Sequence, residues 1–230
     1  LWSIGHRNPQ GAAVKPGTSD LWLTEHGPQG GDELNRVIAG RNYGWPLVSY
    51  GCPYSFPESV PSCRPGGGTH APTYEEPKTY WVPTSTAPAG MTFYDGAGFP
   101  EWRGNIFVGA LAGQTLWRVV LDGSDNVTSR EEVAEVKALG KRIRDVVQGP
   151  DGWLYLLTDD GRWAIAPPPV APVGELETAG DMAFSWSSSD TYGEPPGTTF
   201  QSYPAPEIPD DDLALDELGR HAVAEHAQRE

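Results

Sequence analysis

The sequence predicts an all-β fold made of repeated small sheets, and three observations predict it. The 230 residues contain 28 Gly, 23 Pro and 9 Trp, a composition of many short strands and sharp turns rather than helical bundles. A unit of strand, Gly/Pro turn and aromatic-rich strand recurs along the chain. Two copies of it, aligned on Ile106-Phe107 and Leu154-Tyr155, lie 48 residues apart, a period that suits a four-stranded propeller blade.

Taken in order, the first unit runs from Gln10-Gly11 through Lys15-Pro16 to Asp20-Leu21-Trp22-Leu23. The second runs from Met91-Thr92-Phe93-Tyr94, through the glycines at 96 and 98 and Trp102-Arg103-Gly104, into Asn105-Ile106-Phe107-Val108. The third runs from Gln148-Gly149-Pro150-Asp151-Gly152 to Trp153-Leu154-Tyr155-Leu156. The first interval is longer because a cysteine loop and the stretch up to Trp81 are inserted in it. Asp32 and Glu33 admit, as one of two readings, the cap of a helical turn over Leu34–Ile38; the other is a metal role for Glu33. Three blades do not close a propeller, so the remaining blades are expected to precede Leu1, with this chain an internal or C-terminal piece. A leader could then have existed without leaving a trace here.

At Ala166 the composition changes to APPPVAPV and then to an acidic, Ser/Gly/Pro-rich tract. The expected division is therefore a β domain over 1–166 and a mostly disordered tail over 167–230, irregular across 169–212. The last segment, LALDELGRHAVAEHAQRE, has helical spacing at Leu215, Leu218 and Val223, which reads as a frayed terminal helix. It faintly resembles the helix before the haem motif of small c-type cytochromes, but no CxxCH follows. Thirteen acids and two arginines give the tail −11 of the net charge of −15. With no basic stripe to release counterions from phosphates, nucleic-acid binding is excluded. No apolar run reaches the roughly 18–20 residues of a membrane helix.

Cys52 and Cys63 bracket CPYSFPESVPSC. A Pro/Ser-rich loop is a poor place to bury two free thiols, so we read a disulfide, and with it an oxidising compartment.

Two long blocks carry a family resemblance. GHRNPQGAAVKPGTSDLWLTEHGPQGGDELNRVIAGRNYGWP occupies 5–46, and GKRIRDVVQGPDGWLYLLTDDG occupies 140–161 in the same order. Together they resemble the soluble pyrroloquinoline-quinone (PQQ)-dependent sugar dehydrogenases, the glucose/sorbosone dehydrogenase family. The resemblance implies a six-bladed β-propeller of which 1–166 is the C-terminal half. It implies oxidation of an aldose C1 hydroxyl to a lactone by PQQ with Ca2+, electrons passing to a c-type cytochrome or a quinone. A periplasmic or secreted location goes with it.

The residues admit that chemistry. Arg142 and Arg144 are two apart, so on a strand both face one way with Ile143 opposite. By themselves they are either solvated surface or a clamp for carboxylates; the resemblance implies the clamp, holding PQQ. Arg7-Asn8 offers a cation beside an amide that donates and accepts, and the family uses this pair on PQQ. Tyr54 matches a cofactor-proximal tyrosine. The Gly27 and Pro28 carbonyls, on a constrained turn, match the ligands of a cofactor-bridging calcium. Glu33 and the Tyr43 carbonyl match a second, structural calcium. Trp81 is expected to wall the sugar pocket by stacking. His6 reads as structural.

Three departures from the family pattern stand out. Gln29 occupies a position where many relatives carry Arg. Ala112 stands where relatives place a cofactor-proximal Lys. Neither His26 nor His70 lies in the motif of the family's general base, which belongs to the N-terminal half. The rival expectation is a non-catalytic, extracellular ligand- or protein-binding propeller, since fold does not settle function.

Overall fold

The computed structural model describes residues 1–159 and 161–165 together with a short strand at 184–185. Three four-stranded antiparallel sheets account for nearly all of its regular structure. The first comprises β1 (Pro9–Val14), β2 (Leu21–Glu25), β3 (Asp32–Val37) and β4 (Thr79–Trp81). The second comprises β5 (Pro88–Phe93), β6 (Ile106–Ala110), β7 (Thr115–Leu121) and β8 (Val127–Glu132). A five-residue helix, α1 (Ala134–Ala138), leads to the third: β9 (Ile143–Gln148), β10 (Leu154–Thr158), β11 (Gly161–Ile165) and β12 (Phe184–Ser185). Each sheet is a meander in sequence order. The recurrent sequence unit is thus the first two strands of each sheet.

The sheets stack through their alternating side chains. In β6, Ile106 and Val108 face the first sheet and join Trp22, Leu34, Trp81, Met91 and Phe93. Phe107 points the other way and joins Tyr94, Phe99, Trp102, Leu116, Ile143, Val146, Leu154 and Leu156. All five residues of β6 are buried, because both faces of the middle sheet are covered. Burying each large side chain contributes about 1.5–3 kcal/mol.

The first strands, β1, β5 and β9, lie side by side. Gly11 is required there, since a Cβ would sit 2.3 Å from the Ala89 carbonyl oxygen. Gly90 is required as well, since a Cβ would lie 2.7 Å from Asp145 Cα. The three strands run in one direction. At their starts, His26 Nε2, just past the partner of Pro9, meets the Pro88 carbonyl at 2.8 Å. Their later residues, including Val14, Phe93 and Val147, line a common groove of ≈ 420 Å³.

One of the two readings of 32–38 falls. Residues 32–37 form a strand and not a helical turn, because hydrogen bonding to β2 on one side and β4 on the other outweighs local helix preference. β12 pairs with β11, so the third sheet draws a strand from beyond residue 166. Apart from 184–185, the expectations for 169–212 and for the helix at 213–230 lie outside the described residues. Among the described residues no helix is long and apolar enough to cross a membrane, and the sheets do not close into a ring.

Candidate functional site

Because β1, β5 and β9 run in parallel, residues at their starts gather at one end of the stack. Arg7 and Asn8 immediately precede β1; Arg142 immediately precedes β9 and Arg144 is its second residue. The sequence separates these pairs by over a hundred residues, and the topology returns them to one end.

Arg7 is held from several sides. Its amide donates to Glu25 Oε2 (2.7 Å), Nη1 to the His26 carbonyl (3.1 Å) and Nη2 to the Tyr54 hydroxyl (3.2 Å). The guanidinium carbon lies 5.2 Å from the centre of the Trp45 ring. Its Nε is buried without a partner. Asn8 is exposed, its Oδ1 accepting from Gln10 Nε2 at 2.8 Å. Arg142 and Arg144 share one carboxylate: Arg142 Nε meets Asp159 Oδ2 at 2.9 Å, and Arg144 Nε bonds to Asp159 Oδ1. Both guanidinium groups therefore face the same way. They remain about half exposed, at 47% and 48%.

The loop between β3 and β4 covers the first sheet's contribution. Cys52 and Cys63 form a disulfide. From the stapled loop Tyr54 projects, 68% exposed, to its bond with Arg7. Gln29 donates to the Pro57 carbonyl at 2.8 Å, so the residue replacing the relatives' Arg ties down the same loop.

Beneath lies a layer of buried acids that sequence reasoning only partly anticipated. Glu25, Asp32 and Glu33 are each less than a tenth exposed. Glu25 takes His6 Nδ1 (2.9 Å) and Asn35 Nδ2 (2.8 Å), and Asn35 Nδ2 also reaches Glu33 Oε2 (3.2 Å). Burial first, and the neighbouring Glu25 charge second, push the Glu33 carboxyl up to about 8. Desolvation holds the His70 imidazole below its ordinary value, with Nε2 3.4 Å from Glu33 Oε1. The Tyr43 ring stacks on His6 (4.4 Å), and its hydroxyl donates to the Arg36 carbonyl. A cavity of ≈ 10 Å³ touches Arg7, Glu25, Gly27, Glu33 and Tyr43, room for one water-sized species. His70 also lines it, and Asn35 Oδ1, on the amide that reaches Glu25 and Glu33, is buried without a hydrogen-bond partner.

Asp32 was read only as a helix cap. It is fully buried and accepts from the Gly27 amide (3.0 Å), the Ser85 hydroxyl (2.6 Å) and the amides of Thr86 and Ala87 (2.8 Å each). Burial raises its carboxyl above the ordinary value while these donors pull the other way. The available signal was the strand itself: three polar side chains within DELN, between β partners, need buried partners.

Trp81 requires a correction. It is 3% exposed and packs against Trp117 (5.9 Å), with the Arg130 guanidinium 4.6 Å from its ring centre. Pairing of β4 with β3 turns it into the contact between the first two sheets, so it does not wall a sugar pocket. Ala112 lies exposed on the turn between β6 and β7.

The donor chemistry fits the expected groups. Two half-exposed guanidinium groups on one face, with a third at the same end, suit a polycarboxylate such as PQQ. Hard oxygen donors beside orphaned Asn35 Oδ1 suit calcium. Among the described residues no three His, Cys, Asp or Glu side chains cluster for a metal, so such an ion would rest largely on backbone carbonyls.

Comparison with known proteins bears on this arrangement. The family model "Glucose / Sorbosone dehydrogenase" matches residues 1–166. The chain is 44% identical over 160 residues to aldose sugar dehydrogenase YliI of Escherichia coli, covering 70% of this chain and 41% of that protein. Its fold matches a crystal structure of a glucose dehydrogenase at TM-score 0.61 and 49% identity, over 69% of this chain and 44% of that one. It also matches the PQQ-bound aldose sugar dehydrogenase of Streptomyces coelicolor at TM-score 0.52 and 27% identity, over 70% and 40%.

Proposed function

The chain belongs to the glucose/sorbosone dehydrogenase family, and we propose that it forms much of the cofactor seat of a PQQ- and calcium-dependent enzyme that oxidises the C1 hydroxyl of aldose sugars to lactones. The chain spans about two fifths of the E. coli relative, so the activity belongs to a larger whole. The observation that carries the reading is the gathering of Arg7-Asn8 with Arg142 and Arg144 at one end of three parallel strands.

In this reading Arg142 and Arg144 bind PQQ carboxylates, and Arg7 with Asn8 and Tyr54 bounds the other side. The Gly27 and Pro28 carbonyls hold a calcium there; Glu33 and the Tyr43 carbonyl hold a second, structural one. Bound PQQ supplies a two-electron acceptor, and calcium a Lewis acid beside it. A c-type cytochrome or a quinone takes the electrons onward.

The three described histidines are engaged structurally: His6 with Glu25, His26 with the Pro88 carbonyl, and His70 buried beside Glu33. We therefore assign the general base to a residue outside this chain, which alone binds cofactor without turning over sugar. Ala112 removes one cationic contact, leaving retention to the arginines. The Cys52–Cys63 disulfide supports a periplasmic or secreted location.

Titration of this chain with PQQ and calcium, followed by tryptophan fluorescence, tests the seat. Saturable binding weakened about tenfold or more by Arg144→Ala is expected, since hydrogen bonds to charged groups are worth ~1.5–3 kcal/mol. Equal binding by the variant would refute the clamp. No binding at all by the whole protein, together with no dye-linked aldose oxidation, would favour the non-catalytic propeller.

A further inference from the structure

Asp32 is absent from the set of expected ligands, yet more of the seat hangs from it than from any other side chain described above. All four of its partners donate to it, the pattern of an ionised carboxylate. They come from two separate loops, the turn after β2 and the approach to β5.

The link to the first loop reaches Arg7. The peptide joining His26 and Gly27 presents its N–H to Asp32 Oδ1 and its carbonyl to Arg7 Nη1. A trans peptide points these groups in opposite directions from one rigid plane. Fixing the N–H therefore fixes the carbonyl that aims the guanidinium, and it also fixes where the Gly27-Pro28 turn begins.

The link to the second loop reaches further. The Thr86 carbonyl accepts the amides of Ala112 (3.1 Å) and Gly113 (2.9 Å), and the Ala87 carbonyl accepts that of Leu111 (2.9 Å). The Thr86 hydroxyl accepts Trp117 Nε1 at 2.8 Å. Ala87 is held at φ 50°, which a non-glycine residue adopts only under constraint. Asp32 Oδ2 supplies that constraint at the Ala87 amide, and the next residue opens β5.

We propose that Asp32 is the positioning residue of the seat, one buried carboxylate that sets the Arg7 guanidinium, the Gly27-Pro28 carbonyl turn and the 111–113 turn relative to one another. The proposal rests on the function proposed above, and it deepens it by naming what pre-organises the site. A carboxylate is needed because four donors converge on Asp32, which is itself fully buried, and only its two oxygens can accept from all of them. Outer partners of this kind typically govern metal affinity by about 10- to 100-fold.

Asp32→Asn is the discriminating variant, because its amide group can replace Oδ1 opposite Gly27 while the remaining oxygen keeps the Ser85, Thr86 and Ala87 donors. Hydrogen exchange on this chain should show lost protection at the Gly27 amide. The thermal shift produced by calcium with PQQ should disappear, and PQQ affinity should fall about tenfold or more. A core variant, Val136→Ala, should lower the melting temperature equally with and without calcium and PQQ, as a merely structural residue would. Wild-type PQQ affinity and calcium shift in Asp32→Asn would overturn the proposal. Should that variant not fold, Ser85→Ala is read instead; it removes one donor and no carboxylate, and unchanged PQQ affinity in it overturns the proposal. If the wild-type chain binds neither calcium nor PQQ, the proposed function falls. The positioning claim is then judged by exchange alone: unchanged Gly27 protection in Asp32→Asn overturns it, and lost protection there upholds it.

Discussion

β3 and β6 each lie inside a four-stranded sheet and bury nearly everything they carry, yet they are opposite in composition. β6 reads IFVGA and is buried throughout. β3 reads DELNRV, and Asp32 and Asn35 are as inaccessible as Ile106 or Phe107, with Glu33 nearly so. The apolar strand gains stability by leaving water. The polar strand gives up hydration and regains it only through specific partners, so its cost is justified by what those partners position. One strand specifies how the sheets stack; the other specifies where a few loops end.

The comparison breaks most visibly at Phe107. Phe107→Ala empties a site between the second and third sheets and should cost about 3–5 kcal/mol in urea or thermal unfolding. Calcium and PQQ binding, scaled to the folded fraction, should be unchanged.

Glu33 gives the reverse experiment. Its carboxyl rises from 4.5 to about 8 on folding in the absence of metal. Between those values the unfolded chain has released a proton that the folded chain retains. Stability is therefore full below pH 4.5 and declines as the pH rises towards 8. Glu33→Gln should flatten that slope, gaining on the order of 4 kcal/mol at pH 8 without calcium. A slope unchanged in the variant would place the burden on another acid.

Reducing the Cys52–Cys63 bridge should cost about 2 kcal/mol, the scale expected for a short closed loop. The change should be concentrated at Tyr54 and Arg7, read as altered arginine and tyrosine side-chain resonances. Smallest of all, Asp159→Asn should change stability by less than about 1 kcal/mol, because its pairs with Arg142 and Arg144 are solvent-screened. A larger loss would mean that this ion pair contributes to the fold.

Much of the architecture was legible because it repeats. The aromatic-rich second strands recur where β2, β6 and β10 stand, and period-two alternation assigned Arg142 and Arg144 to one face. The helical turn that the residues at 34–38 also admitted gives way because pairing with β2 and β4 holds the segment as a strand. Trp81 was misread for a related reason. An aromatic residue before a Pro-rich loop suits a sugar wall or a core equally, and only pairing of β4 with β3 turns it inward. Asp32 was legible as a buried acid once its strand was known, but its partners at 27 and 85–87 were not.

By itself, then, the sequence determined the kind of strand and the spacing of the sheets, and it offered the residue types from which a cofactor seat is proposed, because these follow from local propensity, periodicity and motif. The family match over 1–166 agrees with the family resemblance carried by the blocks at 5–46 and 140–161. The tertiary structure alone decided which distant residues meet. Arg7 and Arg144 share an end because β1 and β9 run in the same direction, and Asp32 joins the Gly27 turn to the approach of β5 because two sheets stack there. Such meetings depend on contacts across tens of residues, and no local pattern encodes them. They are set by the one arrangement that buries Trp22, Phe107 and Leu154 while giving every donor at Asp32 an acceptor.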